Sequence, residues 1–96
     1  MEHKQQPLFF DIETTGLSAD ISAITLIGCC DMDRNITQWF NEDGFSQKQI
    51  LSDFLAFIKS YDTLITFNGT TFDLPFLTSK IKAVSYTHLT LPTNSL

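Results

Sequence analysis

Residues 8–17 read LFFDIETTGL, an apolar run that acquires two carboxylates, Asp11 and Glu13, just before a turn that contains Gly16. Aromatic and branched residues ahead of the acids predict a β-strand. Side chains alternate across a strand with a period of two, so both acids are expected on one face, where the strand gives way to a loop. Two like charges this close favour a hard divalent cation between them. The stretch therefore predicts half of a metal site.

A second stretch, residues 64–77, reads LITFNGTTFDLPFL, in which a β-branched and aromatic run meets Asn68-Gly69 and then a helix-like pattern. We interpret this stretch as the other half of the site. Alternatives stay open at each position. Asp11 and Glu13 are otherwise two solvated acids, Asp73 is otherwise a helix cap, and Asn68-Gly69 alone is a hairpin signal.

Both stretches carry a family resemblance. Residues 10–17 resemble the first exonuclease motif of the DEDD nucleases, whose superfamily has the ribonuclease H-like fold, and residues 68–77 resemble the second. With Trp39-Phe40 and a helix between them, the two motifs are most similar to the YprB-type ribonuclease H-like family of predicted 3′-5′ exonucleases. The resemblance covers about residues 7–82.

The resemblance implies specific roles where residues match. Asp11, Glu13 and Asp73 would be the catalytic acids and the ligands of two Mg²⁺ or Mn²⁺ ions. Asn68 would position the substrate or Asp73. From the residues themselves, backbone N–H groups of the turn after the acids are further candidates for binding a terminal nucleotide. These turn residues are Thr14, Thr15 and Gly16.

A third motif of that family, with a fourth acid and a water-orienting His or Tyr, does not follow. Residues 84–96 instead lack every Asp, Glu, Lys and Arg. Residues 84–93 resemble the translation of one reading frame of a transposon-end sequencing adapter. We therefore expect an N-terminal fragment, with a disordered stretch at 1–6, a truncated exonuclease domain at 7–83 and a non-native tail at 84–96.

Periodicity along the chain predicts an α/β protein with a mixed sheet. Three strands are expected to form an antiparallel meander, the second of them, residues 23–30, buried on both faces. A capped helix with Ser46 and Gln49 as a capping box, and with Phe45 and Ile50 as a hydrophobic staple, should follow. A fourth strand parallel to an earlier one and a second helix starting near Phe72 complete the pattern. This order opens the ribonuclease H-like fold, whose C-terminal strand and helix would be missing.

Net charge, cysteine positions and hydropathy bear on which functions and locations are expected. The 96 residues carry a net charge of −5, which is a poor match to a phosphate backbone and weighs against a nuclease. Cys29 and Cys30 are adjacent, which suits neither a disulfide nor zinc. No apolar stretch approaches the ~20 residues of a membrane helix, so we expect no membrane partner and a cytoplasmic protein.

The sequence is thus interpreted as part of a metal-dependent 3′-5′ exonuclease that acts on DNA or RNA 3′ ends, with the fragment itself inactive. Two alternatives remain. One is a non-catalytic ribonuclease H-like module that binds nucleic acid, and the other is a different nuclease of the same fold.

Overall fold

The computed structural model describes residues 4–66, 72–83 and 93–95. In these ranges the chain forms, in order, β1 (Lys4–Thr14), β2 (Ile24–Cys30), β3 (Ile36–Phe40), α1 (Gln47–Ile58), β4 (Tyr61–Thr66), α2 (Leu74–Ala83) and β5 (Thr93–Ser95). The strands make one sheet in the order β3-β2-β1-β4-β5.

Strand directions match the prediction of a mixed sheet. β1 pairs with β2, and β2 with β3, in antiparallel fashion, whereas β4 runs parallel to β1 after the α1 crossover. A strand that returns after a crossover helix is expected to run parallel to its neighbour. The α/β, ribonuclease H-like arrangement predicted from the sequence is therefore confirmed.

The first strand begins earlier than expected. Residues 4–6 belong to β1, with Lys4 opposite Tyr61, although disorder was expected through residue 6. The register with β4 shifts between Lys4 and Pro7. Proline has no N–H to donate to a ladder, so an irregularity at this position is the ordinary outcome.

The sheet also contains a strand that the sequence did not predict. Thr93–Ser95 pairs in parallel with β4, with Thr66 opposite Ser95, although residues 84–96 were expected to lie outside the fold. The edge of β4 offers unpaired N–H and C=O groups, which an extended segment of almost any sequence can satisfy. The adapter origin of this segment stays a prediction.

One face of the sheet carries the hydrophobic core. Alternate residues of β1, namely Leu8, Phe10 and Ile12, are buried, and α1 packs across them. The ring of Phe54, on α1, lies 5.7 Å from that of Phe10. Trp39, on β3, contacts the same Phe54 ring at 6.1 Å. The residues of α1 that face the core are Ile50, Leu51, Phe54, Leu55 and Ile58.

The start of α1 corrects the predicted capping box. Ser46 makes no side-chain cap hydrogen bond, and its hydroxyl instead donates to the Asp43 carboxylate at 2.9 Å. Gln49 donates to Asp53 instead of reaching back toward the helix start. Phe45 is 92% exposed, so it does not form the predicted staple with Ile50.

β2 is buried on one face rather than on both. Ile24, Ile27 and Cys29 are buried, while the residues between them are only half-buried. Both cysteines are free, as expected from their adjacency. Burial, and after it the neighbouring Cys30, raises the pKa of the Cys29 thiol to about 12. This thiol is therefore protonated and unreactive at neutral pH.

Candidate functional site

Two predicted acids meet where β1 and β4 lie side by side. Phe9 of β1 is opposite Ile65 of β4, so Asp11 and Thr66 lie just beyond this pair on neighbouring parallel strands. Asp11 is exposed, and its cross-strand partner in β2 is Gly28. The carboxyl ends of parallel strands share one edge of a sheet, which brings these side chains together.

Asp73 approaches the same edge from the start of α2. Phe72 and Asp73 form a wide, π-type turn immediately before this helix. Asp73 is only 3% exposed, and its Oδ2 accepts a 2.6 Å hydrogen bond from the Thr66 hydroxyl. A short bond of this kind is typical of a hydroxyl that donates to a carboxylate. The acid predicted from the second motif is therefore buried and held still.

The electrostatics of Asp73 tie it to Asp11. Burial raises the pKa of the Asp73 carboxyl above its ordinary value of 3.8, and the hydrogen bond from Thr66 opposes this shift. The Asp11 carboxylate raises the pKa further, by its charge and by a side-chain hydrogen bond with Asp73. The structure thus brings together two acids that are far apart in sequence.

Glu13 does not complete a three-acid cluster. It is exposed and lies across from Leu26, two residues beyond Asp11 on the same strand. Across residues 4–66, 72–83 and 93–95, no three His, Cys, Asp or Glu side chains lie close enough to hold a metal ion. Two residues of strand correspond to about 7 Å, and repulsion between like charges keeps an exposed Glu side chain in solvent. The sequence predicted three converging acids, and two of them converge.

The turn residues predicted to bind substrate help to close the loop between β1 and β2. Thr15 donates its N–H to the Ala23 carbonyl and accepts the Ala23 N–H on its hydroxyl, both at 2.9 Å. The Thr14 hydroxyl donates to the Gly16 carbonyl at 2.7 Å. A Cβ on Gly16 would approach the Ser22 hydroxyl to 2.6 Å, which explains a glycine here. Because its N–H is already bonded, Thr15 cannot offer that group to a nucleotide.

Two further residues bear on the site. Asn68 lies outside the described residues, so its predicted positioning role stays a prediction. Thr66 was treated in the sequence as an ordinary strand residue, although its hydroxyl contacts Asp73. One signal was available: Leu64 and Thr66 alternate at buried positions, and a hydroxyl at such a position requires a polar partner.

An open cleft of about 560 Å³ lies beside Asp11 and Glu13, on the sheet face opposite α1. Its floor includes Gly28, which has no side chain and leaves the space next to Asp11 open. Its walls are apolar at Phe9 and Ile36, the latter 70% exposed. The acids therefore border an accessible surface rather than an enclosed pocket.

Together these features define an α/β protein with an acidic site at the edge of a mixed sheet. The chain belongs to the RNase_H superfamily, which its sequence matches over residues 8–95. Its fold is similar to part of the family B DNA polymerase from the hyperthermophilic archaeon Pyrobaculum calidifontis, with a TM-score of 0.74. The sequences are 22% identical, and the match covers 83% of this chain but 11% of the polymerase chain. No curated protein matches the sequence.

Proposed function

We propose that this chain is part of a metal-dependent 3′-5′ exonuclease of the DEDD type, most similar to the YprB family, which hydrolyses phosphodiester bonds at DNA or RNA 3′ ends. The observation that carries the proposal is the buried Asp73 carboxyl, held by Thr66 and close enough to Asp11 for the Asp11 charge to raise its pKa. A buried acid against a second acid costs folding free energy, and a bound divalent cation would relieve that cost.

The donors present fit Mg²⁺ or Mn²⁺, since carboxylate oxygens are the ligands that these hard ions prefer. Asp11 and Asp73 would hold the ions, and Glu13, exposed two residues from Asp11, would rotate toward them. When bound, a pair of such ions supplies charge stabilisation at the scissile phosphate and an activated water. Asn68 is proposed to position the substrate or Asp73.

Membership of the RNase_H superfamily supports a nuclease, and the similar solved structure is that of a DNA polymerase, which supports a nucleic-acid substrate. Among the described residues no helix is long and apolar enough to cross a bilayer. A cytoplasmic location is proposed on the composition alone.

Nuclease activity is tested with a 5′-labelled oligonucleotide and Mn²⁺. We expect no detectable turnover from this chain, because its sequence lacks the fourth acid and the water-orienting residue of the family. A parent protein with a natural continuation after residue 83 should shorten the oligonucleotide from its 3′ end in single-nucleotide steps. Its Asp11→Asn variant should lose activity by at least about 10²–10³-fold.

Each contrary result has a distinct meaning. Turnover by the present chain that vanishes in Asp11→Asn would contradict the inactive fragment. Internal cuts by the parent would instead favour another nuclease of the same fold.

One observation favours a second candidate, a non-catalytic nucleic-acid-binding module: no three-ligand cluster exists among the described residues. A parent that binds oligonucleotide but is not stabilised by divalent ions would support that candidate.

A further inference from the structure

Thr66 occupies a position where an apolar residue would ordinarily lie. It ends β4, is 1% exposed and follows the buried Leu64 at strand spacing. Valine would supply the same β-branched shape without a hydroxyl. Burial of a hydroxyl is unfavourable unless it is hydrogen-bonded. The hydroxyl of Thr66 therefore depends on its acceptor, and that acceptor is Asp73.

The Asp73 carboxylate in turn depends on the Thr66 hydroxyl as a hydrogen-bond donor. Asp73 is a nearly fully buried carboxylate, and the Thr66 hydroxyl donates to its Oδ2 at 2.6 Å. In the part of the chain that the structure describes, every buried polar side-chain atom has a hydrogen-bond partner. Removal of the hydroxyl would leave Oδ2 without this donor in a site where water has little access.

The place of Thr66 in the sheet also allows it to fix the orientation of the Asp73 carboxylate. Its strand pairs with β1 on one side and with Ser95 of β5 on the other, so its backbone is held by the sheet. A β-branched side chain has few χ1 rotamers in a strand, so the direction of the hydroxyl is restricted. The bond thereby limits rotation of the Asp73 carboxylate, which lies next to Asp11.

We infer that Thr66 is a positioning residue, which orients the Asp73 carboxylate for divalent-cation binding. The inference rests on the proposed function. Partners that hydrogen-bond a metal ligand hold it in place, and their removal typically lowers metal affinity by 10–100-fold. Thr66 thus acts through Asp73 and touches neither ion nor substrate.

The test is isothermal titration with Mn²⁺ alone, on metal-free protein whose folding is checked by circular dichroism. Thr66→Val should weaken Mn²⁺ binding by about 10–100-fold. Thr66→Ser, which restores the hydroxyl, should bind Mn²⁺ nearly as wild type does. Thr63→Val is the matched control, because Thr63 is half-buried in the same strand, opposite Pro7. If Thr66→Val does not fold, Thr66→Ala replaces it in the comparison with Thr66→Ser.

Two failures are distinguishable. If wild type binds Mn²⁺ and Asp11→Asn does not, but Thr66→Val binds as tightly as Thr63→Val, then the positioning role is wrong and the metal site stands. Equal weakening in Thr66→Val and Thr66→Ser also contradicts the role, since the hydroxyl then does not matter. If wild type binds no Mn²⁺, or Asp11→Asn binds equally well, the proposed function fails and the inference fails with it.

Discussion

At Asp73, burial and a neighbouring carboxylate act in the same direction on one acid. Both raise the pKa of its carboxyl above the ordinary 3.8. Above pH 3.8 the folded protein therefore retains a proton that the unfolded chain has lost, and the free energy of unfolding falls as the pH rises through the folded-state pKa. Through this carboxyl, the metal-free fold is thus less favoured where Asp73 is ionised.

Asp73→Asn should stabilise the metal-free protein at pH 7, because it removes the buried charge and keeps an oxygen that accepts the Thr66 hydrogen bond. Near pH 3, where the acid is protonated in both states, the gain should vanish. Each 1 kcal/mol gained raises Tm by about 4–8 °C in a domain of this size. Thermal unfolding in EDTA from pH 3 to pH 8 measures the difference.

Asp20→Asn is the control for this prediction, since it removes the same charge from an exposed position. It should change Tm little across the pH range. A destabilised Asp73→Asn at pH 7, or a gain of equal size at pH 3, would contradict the account of Asp73.

At the residue level, the sequence singles out Asp11 and Asp73 as candidate site residues, but not the residues that contact them. Asp11 is distinctive because a carboxylate is rare beside an apolar strand, whereas Asp73, which alone could be a helix cap, is distinguished by the motif around it. Thr66 is not distinctive, because threonine is common in strands for its shape alone. The arrangement of Glu13 depends on charge repulsion and rotamer choice, which strand periodicity does not determine.

Among the elements, Asn41 joins β2, β3 and α1. It follows β3 and is 4% exposed, and its side-chain NH₂ donates to the Ile24 carbonyl at 2.9 Å. Its side-chain oxygen accepts the Ser46 N–H at 2.8 Å, just before α1. One buried amide thus fixes where the helix departs from the sheet.

Asn41→Ala should lower the free energy of unfolding by about 1–3 kcal/mol, because it removes two hydrogen bonds from groups with little access to water. Urea denaturation measures this change. Glu42→Ala, at the next and exposed residue, should stay within about 0.5 kcal/mol of wild type. Equal effects of the two substitutions would show that Asn41 does not anchor the helix.

Helix periodicity predicted α1 well, because its apolar face is a property of spacing alone. The details of its start were not predictable in the same way. The Ser46 hydroxyl donates to the Asp43 carboxylate and accepts no N–H of the first helical turn, a choice that the local turn determines. Likewise nothing in the sequence distinguishes Asn41, and only the packing of three elements gives it a structural role.

For the molecule as a whole, the core lies between the sheet and two helices. Its cluster of buried hydrophobic side chains runs from Leu8 to Ile81 along the sequence. The order of strands followed from the crossover helix and the short connections of the meander. The pairing of Thr93–Ser95 with β4 could not be predicted in this way, because pairing with an open sheet edge depends on backbone geometry more than on sequence.

A chain that ends at residue 83 should therefore still fold. The lost strand is three residues long, and each of its ladder hydrogen bonds contributes about 0.5–1.5 kcal/mol, so a cooperative but lower Tm is expected. Replacement of residues 84–96 by a Gly/Ser segment of equal length is the control for chain length. Loss of cooperative unfolding in the shortened chain would mean that β5 is required for the fold.

The central claim is that Asp11 and Asp73 form a site for divalent cations. Its most direct test is an anomalous difference map, recorded at the manganese edge from crystals of this chain grown with Mn²⁺. The account predicts a manganese peak in contact with carboxylate oxygens of both Asp11 and Asp73. Manganese peaks only elsewhere, or no manganese peak at all, would contradict it.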